Sequence, residues 1–191
     1  MRGGTFDPIP ETRVIEMEVV LTVKDDIYPK REIIRTRYGA RGIILDEDDN
    51  VAVLRIKGDD VFGSRDHYEL PGGGQEEGEK ILDTFLREME EEVGVTVKDI
   101  VPLGVVEYEY NLLLRREYSQ YFLARKDRAV PRKLTEMEAS FFSELCWINI
   151  DELIRILKTE KVENVGILIH RREAFMLERA KKVLEKRSNQ K

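Results

Sequence analysis

The 191-residue sequence predicts an α/β fold in which a mixed β-sheet is covered by helices. Three observations predict it. Period-2 apolar alternation and helical apolar spacing both occur, strands lie before and after a central helix, and there is no regular β-α alternation. With 41% apolar and 37% charged residues, the chain can bury one sizeable core and is not a disordered polymer. No apolar run reaches the roughly 18 residues a membrane helix needs, and Met1-Arg2-Gly3-Gly4-Thr5 lacks a signal-peptide core, so a soluble, cytoplasmic protein is expected. The lone Cys146 excludes an intrachain disulfide and a cysteine-based zinc site.

Each element has its own warrant. Alternation from Val14 predicts an extended segment to Lys24, broken by Asp25-Asp26 and Pro29, and able to pair within its own domain or in a homodimer. Ile33–Leu45 and Val51–Ile56 read as two strands of a hairpin around Asp46-Glu47-Asp48-Asp49-Asn50. That link is not a calcium loop, because Val51 and Lys57 stand where a glycine and a bidentate glutamate are required. A short strand, His67–Leu70, precedes Pro71-Gly72-Gly73-Gly74, which forces an irregular backbone. Apolar residues at 82, 85, 86, 89 and 93 predict a helix over 81–93, stopped by Gly94. Strand-like runs follow at 100–109, 117–124 and 145–150, then a helix over 152–157 with Asp151 as N-cap, then a last helix over about 170–186. The expected division is an N-terminal extension (1–36), one main domain (37–170) and a basic C-terminal helix (171–191) that covers the domain.

Charge singles out one of these elements. Residues 76–92 contain eight acids and two bases, so they carry the whole formal net charge of −6, and the remainder holds 30 of each sign. At about 100° of turn per residue, Glu88, Glu91 and Glu92 share an arc of about 100°, while Glu90 falls on the far side. Carboxylates sheltered together take up protons unless a cation neutralises them. Hard oxygen donors without nearby His or Cys select Mg²⁺, with Mn²⁺ also suited, and magnesium sites commonly include substrate phosphates.

From Gly73 the chain reads glycine, five residues, Glu79, seven residues, then Arg87-Glu88-Met89-Glu90-Glu91-Glu92-Val93-Gly94-Val95. This resembles the complete signature of the Nudix hydrolases. The resemblance implies an α/β/α sandwich with a mixed sheet and a loop-helix-loop catalytic motif. It implies a metal-dependent pyrophosphohydrolase that directs water at phosphorus in a nucleoside diphosphate linked to another moiety. By position it implies Glu88, Glu91, Glu92 and the Gly72 carbonyl as metal ligands, with Arg87, Glu79 and Gly73 in support. A general base in such proteins can lie outside the motif; Glu138 is the first choice, ahead of Glu136 and Glu144, with Glu117 behind them. Tyr108, Tyr110, Tyr118 and Tyr121 are assigned to packing, as are His67 and His170 to packing or surface roles. A small nucleotide-type substrate is expected, with no membrane and no nucleic-acid partner, since the neutral remainder advertises no basic channel. The alternatives are an RNA 5′-pyrophosphohydrolase and a non-catalytic nucleotide sensor.

Overall fold

Strand β2 (Arg35–Leu45) is the pivot of the architecture, because from Gly39 onward its two faces read differently and both are buried. Ile43 and Leu45 belong to one apolar cluster and Ala40 and Ile44 to another, as period-2 side-chain alternation requires. The computed structural model describes residues 18–188, without the side chains of residues 137, 138, 142, 143 and 188. Asp46 closes the turn into β3 (Asn50–Asp60), its Oδ1 accepting from the Asp48 and Asn50 N–H groups at 2.9 and 2.8 Å. The two strands pair only at Leu45↔Val51 and then part.

This parting divides the sheet into two wings. In one, β3 pairs antiparallel with β4 (Gly63–Glu69) and β8 (Phe142–Asn149). In the other, β2 pairs antiparallel with β5 (Gly72–Gly74) and parallel with β7 (Arg115–Ala129). Beyond β7 lie antiparallel β6 (Val95–Tyr110) and, parallel to it, β1 (Val19–Val23). The mixed sheet is therefore as expected. The first part of the expected N-terminal strand, residues 14–17, lies outside the described residues.

Helix α1 (Ile81–Glu88) packs Phe85 and Met89 on Ala40, Ala52, Phe122 and Ala124. Gly42 permits this approach, since a Cβ there would meet Met89 Sδ at 2.5 Å. Helices α3 (Ile150–Thr159) and α4 (Val165–Ser188) cover the opposite face through Leu153, Leu157, Leu168, Met176 and Leu177. Burying 23 largely apolar residues in this second cluster makes it the main source of hydrophobic stabilisation.

Five local expectations are corrected. Residues Met89–Val93 continue α1 as a π-helical turn, ended by Gly94 in the left-handed region at φ 75°, with the Gly94 N–H donating to Met89 O at 3.0 Å. Asn149, not Asp151, caps α3, its Oδ1 accepting from the Asp151 N–H at 3.0 Å. Helix α4 starts at Val165 because Val165, Leu168 and Ile169 gain a core, which outweighs the poor helical preference of a Val-Gly-Ile start. A short helix α2 (Glu136–Phe141) precedes β8, and the glycine run forms a true edge strand rather than a loop. Among the described residues no helix is long and apolar enough to cross a membrane.

Candidate active site

The site is built around the edge strand β5. Gly72 is required sterically, since at φ 141° a Cβ there would lie 2.1 Å from the Ala40 carbonyl oxygen, while a Cβ on Gly73 or Gly74 would displace the Glu88 carboxylate or the Arg37 guanidinium, 2.3 and 2.1 Å away. Bare backbone thus lets a carboxylate from α1 and a guanidinium from β2 close on one strand. Around it opens a cavity of about 510 Å³, walled by the signature helix on one side and by Arg37, Arg41, Tyr108, Glu117 and Ser119 of the sheet on the other.

Arg87 organises the helix side. Its Nε donates to Glu79 Oε1 at 3.0 Å, and Nη1 donates to Glu88 Oε1 at 2.8 Å and Glu91 Oε2 at 3.0 Å. Its Nη2 donates to the Gly74 carbonyl at 3.1 Å. Glu79 is fixed in turn by the Thr84 hydroxyl and the Glu76 N–H. The Arg87 hydrogen bond, outweighing partial burial, holds the Glu79 carboxyl down to about 2. Glu79 and Arg87 therefore brace the glycine strand against the helix.

The three proposed ligands meet different surroundings. Glu88 and Glu92 are 5% and 4% exposed, Glu91 is half-buried, and Glu90 faces solvent as its wheel position predicts. Glu92 Oε2 accepts from the Gly72 N–H at 2.6 Å. Burial, and next the charge of Glu88, push the Glu92 carboxyl well above the usual carboxylate range. Among the described residues no three Asp, Glu, His or Cys side chains stand arranged as a ready metal cluster. Glu88 and Glu91 are instead drawn onto Arg87, and Glu92 onto Gly72. The donor set nevertheless suits a hard divalent cation, because it offers buried anionic oxygens whose crowding a positive ion relieves, and no imidazole or sulfur.

On the opposite wall, β2 and β7 are parallel and in register, so Arg37 pairs with Glu117 and Gly39 with Ser119. The Tyr108 hydroxyl donates to Glu117 Oε2 at 2.8 Å, Arg115 forms an ion pair with Glu117, and Arg37 Nη1 stands 3.8 Å from Glu117 Oε1. Of the proposed bases, Glu117 lines the cavity, Glu136 is exposed, and Glu144 is exposed on β8 opposite Arg55, on the other wing. Glu138 falls in α2, and its side chain lies outside the described residues. Neighbouring Thr135 lines the cavity.

Arg37, Arg41, Tyr108 and Ser119 were not singled out as site residues in the sequence. Arg37 and Arg41 do sit an even number of positions apart, hence on one face, but only the register with β7 shows that this face is the cavity wall.

A family model for the NUDIX domain matches residues 35–171, and the chain belongs to that family. Among curated relatives, it is 28% identical to an asymmetrical bis(5′-nucleosyl)-tetraphosphatase of Rattus norvegicus, over 51% of this chain and 65% of that protein. It is also 28% identical to an RNA pyrophosphohydrolase of Wolbachia pipientis subsp. Culex pipiens, over 49% of this chain and 65% of that protein. The chain thus spans slightly less than two thirds of the length of these relatives. Among solved structures, a NUDIX hydrolase from Nitrosomonas europaea shares the fold with a TM-score of 0.57 at 20% identity, covering 77% of this chain and 90% of that one. A MutT NUDIX hydrolase from Burkholderia pseudomallei gives 0.50 at 23% identity, over 61% and 84%.

Proposed function

We propose that the protein is a divalent-metal-dependent pyrophosphohydrolase that cleaves a phosphoanhydride bond in a small nucleotide-type substrate. The observation that carries this reading is the bipolar cavity, with Glu88, Glu91 and Glu92 on one wall and Arg37 and Arg41 on the other. A pyrophosphate linkage needs both poles, cationic neutralisation of its oxygens and an oriented water. Both curated relatives are named for cleaving the phosphate chain of a nucleotide, which supports the reaction class, while their names differ in what the chain is attached to.

Glu88, Glu91 and Glu92 would hold the cation, Mg²⁺ by preference and Mn²⁺ as a substitute, with Gly72 beside them. When bound, the ion supplies positive charge against the negative charge that develops on phosphate oxygens. Arg87 restrains Glu88 and Glu91, and Glu79 restrains Arg87, so the carboxylates are held near one orientation before substrate arrives. Arg37 and Arg41 draw the phosphate chain against the sheet wall. Glu91, the most open of the three, would accept the proton of the attacking water, and Glu138, the first choice from sequence, is the alternative base from the segment before β8. pH–rate profiles of Glu91→Gln and Glu138→Gln separate the two, since only loss of the true base removes the acid limb.

The deciding experiment is a phosphate- and pyrophosphate-release screen with Mg²⁺, Mn²⁺ or chelator. Its substrates are dinucleoside polyphosphates, nucleoside triphosphates, sugar nucleotides, ADP-ribose and 5′-triphosphate RNA. Metal-dependent release from at least one small nucleotide is expected. Release from RNA alone replaces this reading with the RNA-end reading, and no release from any substrate leaves a nucleotide-binding module.

A further inference from the structure

Arg172 and Glu173 lie just past the segment matched by the family model, on a helix that the sequence marks as a basic cover. They are instead the most deeply buried charged residues described, 1% and 0% exposed. Arg172 donates from Nη2 to Glu69 Oε1 at 2.7 Å, from Nε to Glu173 Oε1 at 3.0 Å and from Nη1 to the Tyr110 hydroxyl at 2.7 Å. Its guanidinium lies 4.4 Å from the centre of the Tyr108 ring.

The same carboxylates serve the cavity wall. Arg41 Nη2 stands 2.7 Å from the Glu69 Oε1 that Arg172 also reaches, Nη1 donates to Leu70 O at 2.8 Å, and Nη1 is 4.0 Å from Glu173 Oε1. Arg41 Nε has no hydrogen-bond partner among the described residues. Tyr108, clasped by Arg172, presents its hydroxyl to Glu117 and Ser119, which also line the cavity. One arginine on α4 therefore touches the supports of both halves of the sheet wall.

Charge decides what this arrangement does. Arg41, Arg172, Glu69 and Glu173 balance as two positive and two negative groups, and beside them Arg65 pairs with both Glu69 Oε2, at 3.5 Å, and Asp60 Oδ2, at 3.1 Å. Without Arg172, Arg41 and Arg65 would serve the three carboxylates of Glu69, Glu173 and Asp60, and an uncompensated negative charge would sit beneath a cavity that must receive an anion. Buried ion pairs of this kind add little net stability compared with an apolar filling of equal volume, so stability alone does not account for four charges at this place.

We propose that Arg172 is a positioning residue for substrate binding: by satisfying Glu69 and Glu173 it leaves the charge of Arg41 available to the phosphate chain in the cavity, and by stacking on Tyr108 it fixes the Glu117–Ser119 side of the wall. This rests on the phosphoanhydride reading of the cavity and adds to it the device that makes the wall anion-receptive.

The test is titration calorimetry of the full chain with inorganic pyrophosphate and Mg²⁺ at pH 8, paired with thermal melting and with KM for whichever nucleotide is hydrolysed. Arg172→Met is expected to raise the pyrophosphate Kd about tenfold and to raise KM more than it lowers kcat. Glu173→Gln is expected to act in the opposite direction and tighten pyrophosphate binding. The double variant Arg172→Met with Glu173→Gln is expected to return toward the wild-type Kd. A merely structural role predicts otherwise: both single variants weaken binding in step with their loss of melting temperature, and the double is worse than either. That pattern overturns the proposal. So does an unchanged Kd and KM in a folded Arg172→Met protein whose wild type hydrolyses nucleotides, and in that case the hydrolase reading stands. Should Arg172→Met not fold, Glu173→Gln decides alone, tighter binding supporting the inference and weaker binding ending it. If the wild type neither binds pyrophosphate nor hydrolyses a nucleotide, the reading of the cavity falls and the inference falls with it.

Discussion

At the scale of single residues, activity and stability pull in opposite directions at Glu92. The side chain is buried beside Glu88 with one backbone N–H to hold it, so its charge is costly unless a cation neutralises it. Glu92→Gln is expected to lower turnover at least about 10²-fold while raising the melting temperature measured in chelator. Wild-type turnover, or a lower melting temperature, would remove the assignment. His170 provides a second residue-level test. Burial, and next the neighbouring His67, push its imidazole down to about 4, against about 6.5 when unfolded. The folded state therefore binds fewer protons than the unfolded one. Its contribution is complete above about pH 6.5 and is lost as pH falls toward 4, by up to about 3 kcal/mol. Denaturant unfolding at pH 7.5 and 4.5 should show a smaller acid loss in His170→Leu than in the wild type, and an equal loss would contradict this account. The two histidines also mark a limit of sequence reading. They stand 103 positions apart, and only the packing of α4 on β4 brings their rings to 6.3 Å.

At the scale of elements, legibility followed the range of the interactions involved. The α1 helix, its apolar stripe and the exposed position of Glu90 are local properties of one turn after another, and all were readable. The π-helical turn at its end was not, because it depends on Gly94 closing against Val130 and Arg132, which belong to a later loop. Gly94 sits at φ 75°, and a Cβ there would meet Arg132 Cγ at 2.7 Å and Val130 O at 2.9 Å. Gly94→Ala should therefore cost about 1–3 kcal/mol in urea unfolding and disturb the glutamates one turn away. A neutral result would mean that the left-handed turn is not needed. The sheet wall of the site, apart from Glu117, which the sequence offered as a remote candidate base, was illegible for the same reason of range. Arg37, Arg41, Glu117 and Ser119 meet through a parallel register that no short window contains.

At the scale of the whole molecule, the two apolar clusters hold α1 and the α3–α4 pair on opposite faces of one sheet, and the cavity opens at the edge where that sheet has only a three-residue strand. A ligand binding there touches both the signature helix and the sheet, so it should stabilise the fold globally. Millimolar Mg²⁺ is expected to raise the wild-type melting temperature, in proportion to the logarithm of its concentration once well above Kd, and to do so far less in Glu88→Gln. An equal shift in both proteins would place the ion elsewhere.

The parallel pairing of β2 with β7 joins residues eighty positions apart, and α4 follows both. A chain still leaving the ribosome thus displays its signature glutamates before the Tyr108, Glu117 and Ser119 part of the wall facing them has been synthesised. On the reading proposed above, the complete cavity, and any activity it carries, would form only late in translation, after Arg172 has cleared the exit tunnel.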